Sequence, residues 1–272
     1  YNGKVLAMTL VGVPTAVLSI YCMINPKACF GSCPTFYCWD GKDTVLMAEG
    51  FSSSILRSFE KEDIDMLYHA KPTGNNINLK LTNEALETHV IRYADLFAFP
   101  RKQNERVFAA ENGKFIRVSD IRNPSSCVAP EGDCLEAVQQ MDQRERYSET
   151  DSRNLAAREI IEVNFNSVPD GEVGLIIGSR QTFLTTFLFY QSLAYMGYSA
   201  GNFAAEIESG NKSLQKKVNK VWDVLGGIDV LYQDRDGKWI KAGQFDEMGP
   251  IASDIHLIRL PANGQPTLKV KL

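Results

Sequence analysis

Thr35-Phe36-Tyr37-Cys38-Trp39-Asp40-Gly41-Lys42-Asp43-Thr44-Val45-Leu46-Met47-Ala48 sets an Asp-Gly pair between two runs of apolar, aromatic and β-branched residues. Asp-Gly tolerates the positive φ angles of a tight turn, so this pattern predicts a β-hairpin. The same grammar repeats downstream. Asn112-Gly113 separates Val107-Phe108-Ala109 from Phe115-Ile116-Arg117-Val118, and Asp236-Gly237 separates Ile228 to Tyr232 from Trp239-Ile240. Asn78 to Leu81 alternates as a strand does, and Thr88 to Pro100 reads as a further long strand. Ile160 to Phe165, Val173 to Ile177, His256 to Leu260 and Thr267 to Leu272 add four more. Short strands at regular spacing, broken by turn residues, imply sandwiches or partial barrels.

Two helices interrupt the second β region. Ser213 to Leu225 is amphipathic, with Leu214, Val218, Val221, Trp222 and Leu225 on one face, and Gly226-Gly227 stops it. The other, near 180–197, is unusual, because no charged residue occurs for 25 positions between Arg180 and Glu206. Phe183, Leu184, Phe187, Leu188, Phe189, Tyr190, Leu193, Tyr195 and Met196 cover every side of this helix, with Phe183, Phe187, Tyr190 and Tyr195 singled out among them, and Gly197 and Gly201 are expected to end it. A helix apolar on every side is buried in its own core or covered by something else. These four aromatic residues, together with Trp39 and Trp239, are the candidate partner contacts.

Upstream, Val5 to Pro26 forms 22 uncharged, mostly apolar residues between Lys4 and Lys27. A helix of that length spans roughly 33 Å, the thickness of a bilayer's hydrocarbon core. The expectation is a single transmembrane helix; a cleaved signal peptide or a buried core helix is the rival reading. One Lys at each end gives no positive-inside bias.

The expected fold is therefore mainly β with a few helices. A transmembrane anchor (1–28) leads into a β domain (29–125), a connector (126–157), and a C-terminal β domain (158–272) holding both helices. Both β domains are expected to be sandwich-like. Six cysteines occur, at Cys22, Cys29, Cys33, Cys38, Cys127 and Cys134. Cys127 and Cys134, flanked by Ser125, Pro130 and Gly132, look like a stapled loop. Cys29, Cys33 and Cys38 are further disulfide candidates, because their spacing does not match the tight pairs of metal sites. Disulfides persist in oxidising compartments, so the soluble part is expected outside the cytoplasm, on the periplasmic side.

With 29 Lys and Arg against 33 Asp and Glu, the net charge is −4, and no basic stripe stands out for nucleic acid. Reaction signatures are equally scarce. His69, His89 and His256 each stand alone, and there is no C-x-x-C, C-x-x-C-H or H-E-x-x-H. Gly171-x-x-Gly174-x-x-x-Gly178 precedes a helix, but its spacing fits neither a dinucleotide loop nor a P-loop. Glu60, Glu62, Asp63 and Asp65, and Asp234 with Asp236, lack the ordered spacing of a calcium loop and read as solvated acidic faces. Asn211-Lys212-Ser213 is a glycosylation sequon.

Cys33-Pro34-Thr35-Phe36-Tyr37-Cys38-Trp39-Asp40-Gly41-Lys42, followed by Val45 to Glu49, resembles a module of bacterial secreted and membrane-attached proteins that often accompanies ASPIC/UnbV, FG-GAP or tetratricopeptide-type repeats. Leu79 to Glu84 and Glu87 to Leu96 look like its continuation. Asp236-Gly237-Lys238-Trp239 with Gly249-Pro250 and Ser253-Asp254 looks like its C-terminal part. The resemblance implies an extracytoplasmic β fold whose business is contact, and it brings no catalytic residues.

The expected function is a non-catalytic accessory subunit of a larger membrane complex, with photosynthetic or respiratory assemblies as candidate hosts. Its partners would be other membrane subunits and lipid; no nucleic acid, small-molecule substrate, cofactor or metal is expected. The alternative is a surface glycan- or peptide-binding module in which Trp39, Trp239 and Tyr232 stack on the ligand. A third reading, a hydrolase with an unfamiliar site, would need Asp63, His69 or His89 to converge in one pocket.

Overall fold

The computed structural model describes residues 34–50, 64–83, 91, 93–110, 113–142, 144–149, 151, 153–154, 156–169, 171–180, 191–192, 194–225, 227–245, 252–261 and 267–272. Val5–Pro26, Cys29 and Cys33 lie outside these residues. Among those described, no helix is long and apolar enough to cross a membrane.

The chain is mainly β, in three sheets with a few helices. β1 (Thr35–Trp39) and β2 (Thr44–Glu49) form the hairpin expected around Asp40-Gly41. Asp40 shapes this turn, because its Oδ1 accepts the backbone N–H groups of Lys42 and Asp43, both at 2.7 Å. β3 (Leu79–Thr82) pairs on the other side of β1 and gives the order β2-β1-β3. Cys38 is a buried free thiol within β1 and not a disulfide partner. The strand turns it inward, where a small apolar side chain packs well without a bond.

The four-stranded sheet has the order β5-β4-β12-β9. It comprises β4 (Arg106–Ala110), β5 (Lys114–Val118), β9 (Val173–Ser179) and β12 (Asp254–Leu260). β4 and β5 make the second expected hairpin, with Gly113 at φ +66° in the turn. β12 lies antiparallel to β9 from Asp254↔Ser179 to Leu260↔Val173, and parallel to β4 through Leu257↔Ala110. Strands from before residue 125 and after residue 158 thus share one sheet.

The six-stranded sheet runs β11-β10-β13-β8-β6-β7. β6 (Ser126–Ala129), β7 (Gly132–Asp133) and β8 (Glu162–Asn166) form one side. β10 (Ile228–Gln233), β11 (Trp239–Phe245) and β13 (Thr267–Lys271) form the other. Its inner face packs on β9 and β12: Val230, Tyr232, Phe245, Leu268 and Val270 meet Leu175, Ile258 and Leu260 in one buried cluster. β12 is covered on both faces, because Ile255 and Leu257 point the other way, toward Phe108, Met66, Tyr68 and Met141. Gly174 makes the β9–β12 approach possible; a Cβ there would come within 3.0 Å of Leu257 Cδ2.

Three helices are described: α1 (Leu135–Val138), α2 (Ser199–Glu208) and α3 (Lys212–Leu225). α3 forms where its amphipathic pattern predicts. Asn211 caps it, its Oδ1 accepting the N–H groups of Ser213 and Leu214, both at 3.2 Å. The preceding region corrects the expectation. Gly197, at φ +52°, does end a helical stretch, but the chain turns and resumes as α2 straight through Gly201. Ala204, Ala205, Glu206 and Glu208 favour helix strongly enough to outweigh one interior glycine.

Candidate functional site

The most distinctive surface grows out of the β4–β5 hairpin. Side chains alternate across a strand. Phe108, Ala110, Ile116 and Val118 face the core shared with Leu257. Val107, Ala109, Phe115 and Arg117 therefore take the opposite face, the same side of the sheet that β9 and β12 present to the six-stranded sheet. Among the described residues, that second sheet packs on β9 and β12 and its core does not extend over the hairpin. Residues 93–100 cover the remainder. They form no strand, which corrects the expected strand over Thr88–Pro100; residues 84–90 and 92 lie outside the described set. Phe97 and Phe99 settle on Phe115 with ring centroids 5.2 and 4.8 Å away, and Arg117 Nη2 donates to Pro100 O at 3.1 Å. Packing of these rings on the sheet face replaces ladder pairing.

The cover is itself left open to solvent. Phe97 is 56% exposed, Phe99 41% and Phe115 37%, and Tyr93 and Leu96 continue the strip at 60% and 50%. Three phenyl rings in mutual contact form a patch, which differs from scattered single exposures that need no explanation.

A buried polar junction joins the small sheet to the start of β12. Glu49, at the end of β2, is buried, and its Oε2 accepts the N–H of Ala252 at 2.7 Å across 203 residues. Two residues on, buried Asp254 Oδ2 lies 2.6 Å from His256 Nε2. This is the one histidine that the structure joins to a carboxylate among the described residues. No group of three or more His, Cys, Asp or Glu side chains among them is arranged to hold a metal.

The connector is held by two arginines. Arg146 donates to Glu131 at 2.6 and 2.8 Å and to Glu159 at 2.7 and 2.8 Å, so its fork clamps the β6–β7 turn to the approach of β8. Arg180, at the end of β9, holds both oxygens of Glu145 at 2.7 and 2.6 Å and the Tyr147 hydroxyl at 3.1 Å. These guanidinium groups hold Glu131, Glu145 and Glu159 below the usual carboxylate range, against the opposing effect of burial. The backbone N–H groups of Asp43 and Lys42 do the same for Asp40. Such shifts keep carboxylates ionised as structural anchors; a general acid needs the opposite displacement. The Cys127–Cys134 disulfide closes the same region, with Cα atoms 5.2 Å apart. It packs with Ala129 and Val163 in a small buried cluster.

The remaining sequence candidates that are described stand on different elements. Tyr195 is 89% exposed at the end of its helical stretch, with Tyr198 beside it fully exposed. Phe183, Phe187 and Tyr190 lie outside the described residues. Trp39 is half-buried, and Trp239 is half-buried beneath Lys271 Nζ, 4.3 Å from the ring centroid. Tyr232 belongs to the sandwich core, which removes one of the three stacking rings required of a glycan site. His69 is exposed beside Tyr68, while Asp63 and His89 lie outside the described residues. Gly174 and Gly178 sit inside β9, where a Cβ on Gly178 would come within 2.9 Å of Met141 Sδ. They serve close packing and form no phosphate loop. Asp234 Oδ1 is occupied by the N–H groups of Asp236 and Lys238 in the β10–β11 turn. A hollow of about 320 Å³, open to solvent, lies between Gln103, Glu105, Arg106, Ser119 and Asp120, and its lining sets no His or Cys beside Ser119.

Sequence reasoning missed the aromatic face, although Phe97, Phe99 and Phe115 were all visible as strand residues. No local signal marks residues 93–100 as irregular, because a proline at the end of a run leaves the pairing of the residues before it open. No protein-family model, curated protein or solved structure matches this chain.

Proposed function

We propose that the chain is a non-catalytic accessory subunit of a larger membrane complex. In this reading one span over Val5–Pro26 holds it, and its β body lies outside the cytoplasm. Photosynthetic and respiratory assemblies are the candidate hosts. The observation that carries the proposal is exposed apolar surface among the described residues: the Phe97–Phe99–Phe115 face, with Tyr195 and Tyr198 at the helical end. Contiguous exposed aromatic surface on a β body marks contact with a partner or a membrane. The Cys127–Cys134 bond supports an oxidising compartment. The resemblance of residues 33–49 to an extracytoplasmic contact module agrees with both.

Extraction in mild detergent tests the proposal. The chain should elute in a particle well above its own 30.3 kDa plus detergent, with other subunits present. A monodisperse species of this chain alone would count against an accessory role.

A further inference from the structure

We draw no further inference here: the strongest candidate, the side-chain cluster of Glu49, Asp254 and His256 where the small sheet meets the start of β12, forms no metal site among the described residues, and the chain adjoining it, residues 51–63 and 246–251, lies outside them, so nothing shows what the cluster faces.

Discussion

Replacing Arg146 with alanine should release the connector from the six-stranded sheet. The side chain is only 7% exposed, and its guanidinium makes two parallel bonds to Glu159, whose side chain is 19% exposed. Charge-assisted bonds of this kind are worth about 1.5–3 kcal/mol each before correction for exposure. The fork adds two to Glu159, but they share one guanidinium and one carboxylate, so about 2 kcal/mol is the net expectation. Glu131 stands at the surface and is left out of that figure. For a chain of this size, about 2 kcal/mol corresponds to a melting shift of roughly 4–8 °C. Arg146→Lys keeps the charge and loses the fork, so it should recover part of the loss and not all of it.

Acidification provides an independent check on the same bonds. Arg146 holds the native carboxyl of Glu159 below its ordinary value of 4.5. A depressed native value stabilises the folded state fully above the unfolded value, and that contribution disappears as pH falls through the native one. The stability difference between parent and Arg146→Ala should therefore be constant near neutrality and shrink as pH drops below about 4.5. Urea unfolding of the detergent-solubilised chain, followed by near-ultraviolet circular dichroism, measures both quantities. A midpoint change equivalent to less than about 0.5 kcal/mol, the size of an exposed pair, would refute the reasoning. A difference that stays constant into strong acid would do the same.

Three further outcomes follow from the same geometry. Cys127→Ser/Cys134→Ser opens a loop of sequence separation 7 and should cost about 2.5 kcal/mol in chain entropy, read as a lower unfolding midpoint under oxidising conditions and no difference from parent under reducing ones. Glu49→Ala strands the Ala252 N–H in a buried site and should cost about 1–3 kcal/mol, with Glu49→Gln recovering much of it; equal midpoints for all three chains would show the bond to be dispensable. Asn211→Ala removes the cap of α3 and should cost about 1 kcal/mol, visible as earlier hydrogen exchange at Ser213 and Leu214.

The parts legible in the sequence are those decided over a few residues. Asp40-Gly41, Asn112-Gly113 and Asp236-Gly237 announce three hairpins because a turn needing positive φ admits few residue types. The staple between Cys127 and Cys134 is readable because a short, turn-rich spacer leaves the two thiols close together. The α3 helix is readable because its apolar residues repeat at 3.6. Pairings between distant segments carry no such mark. Leu257 lies beside Ala110 and Glu49 bonds Ala252 through tertiary packing alone, and neither residue type reveals its partner. Arg144-Glu145-Arg146 read as a polar, aperiodic run, yet its residues bond outward to Glu136, Arg180, Glu131 and Glu159. Its lack of periodicity was itself informative, since each residue answers to a different partner in space.

The candidate site was the least legible element, and the offset of the two sheets explains why. Phe115 belongs to a strand whose inward face, through Ile116 and Val118, is satisfied by Phe108 and Leu257. Had the six-stranded sheet been centred over all four strands, Phe115 would be core and Phe97 and Phe99 would have nowhere to settle. Instead, among the described residues, its core stops at β12, and the hairpin's outer face receives irregular chain that is itself greasy. The same apolar residues thus read as strand core in one dimension and stand as open surface in three. Residues 93–100 lie over that face without closing it, so Phe97, Phe99 and Phe115 stay partly open to solvent.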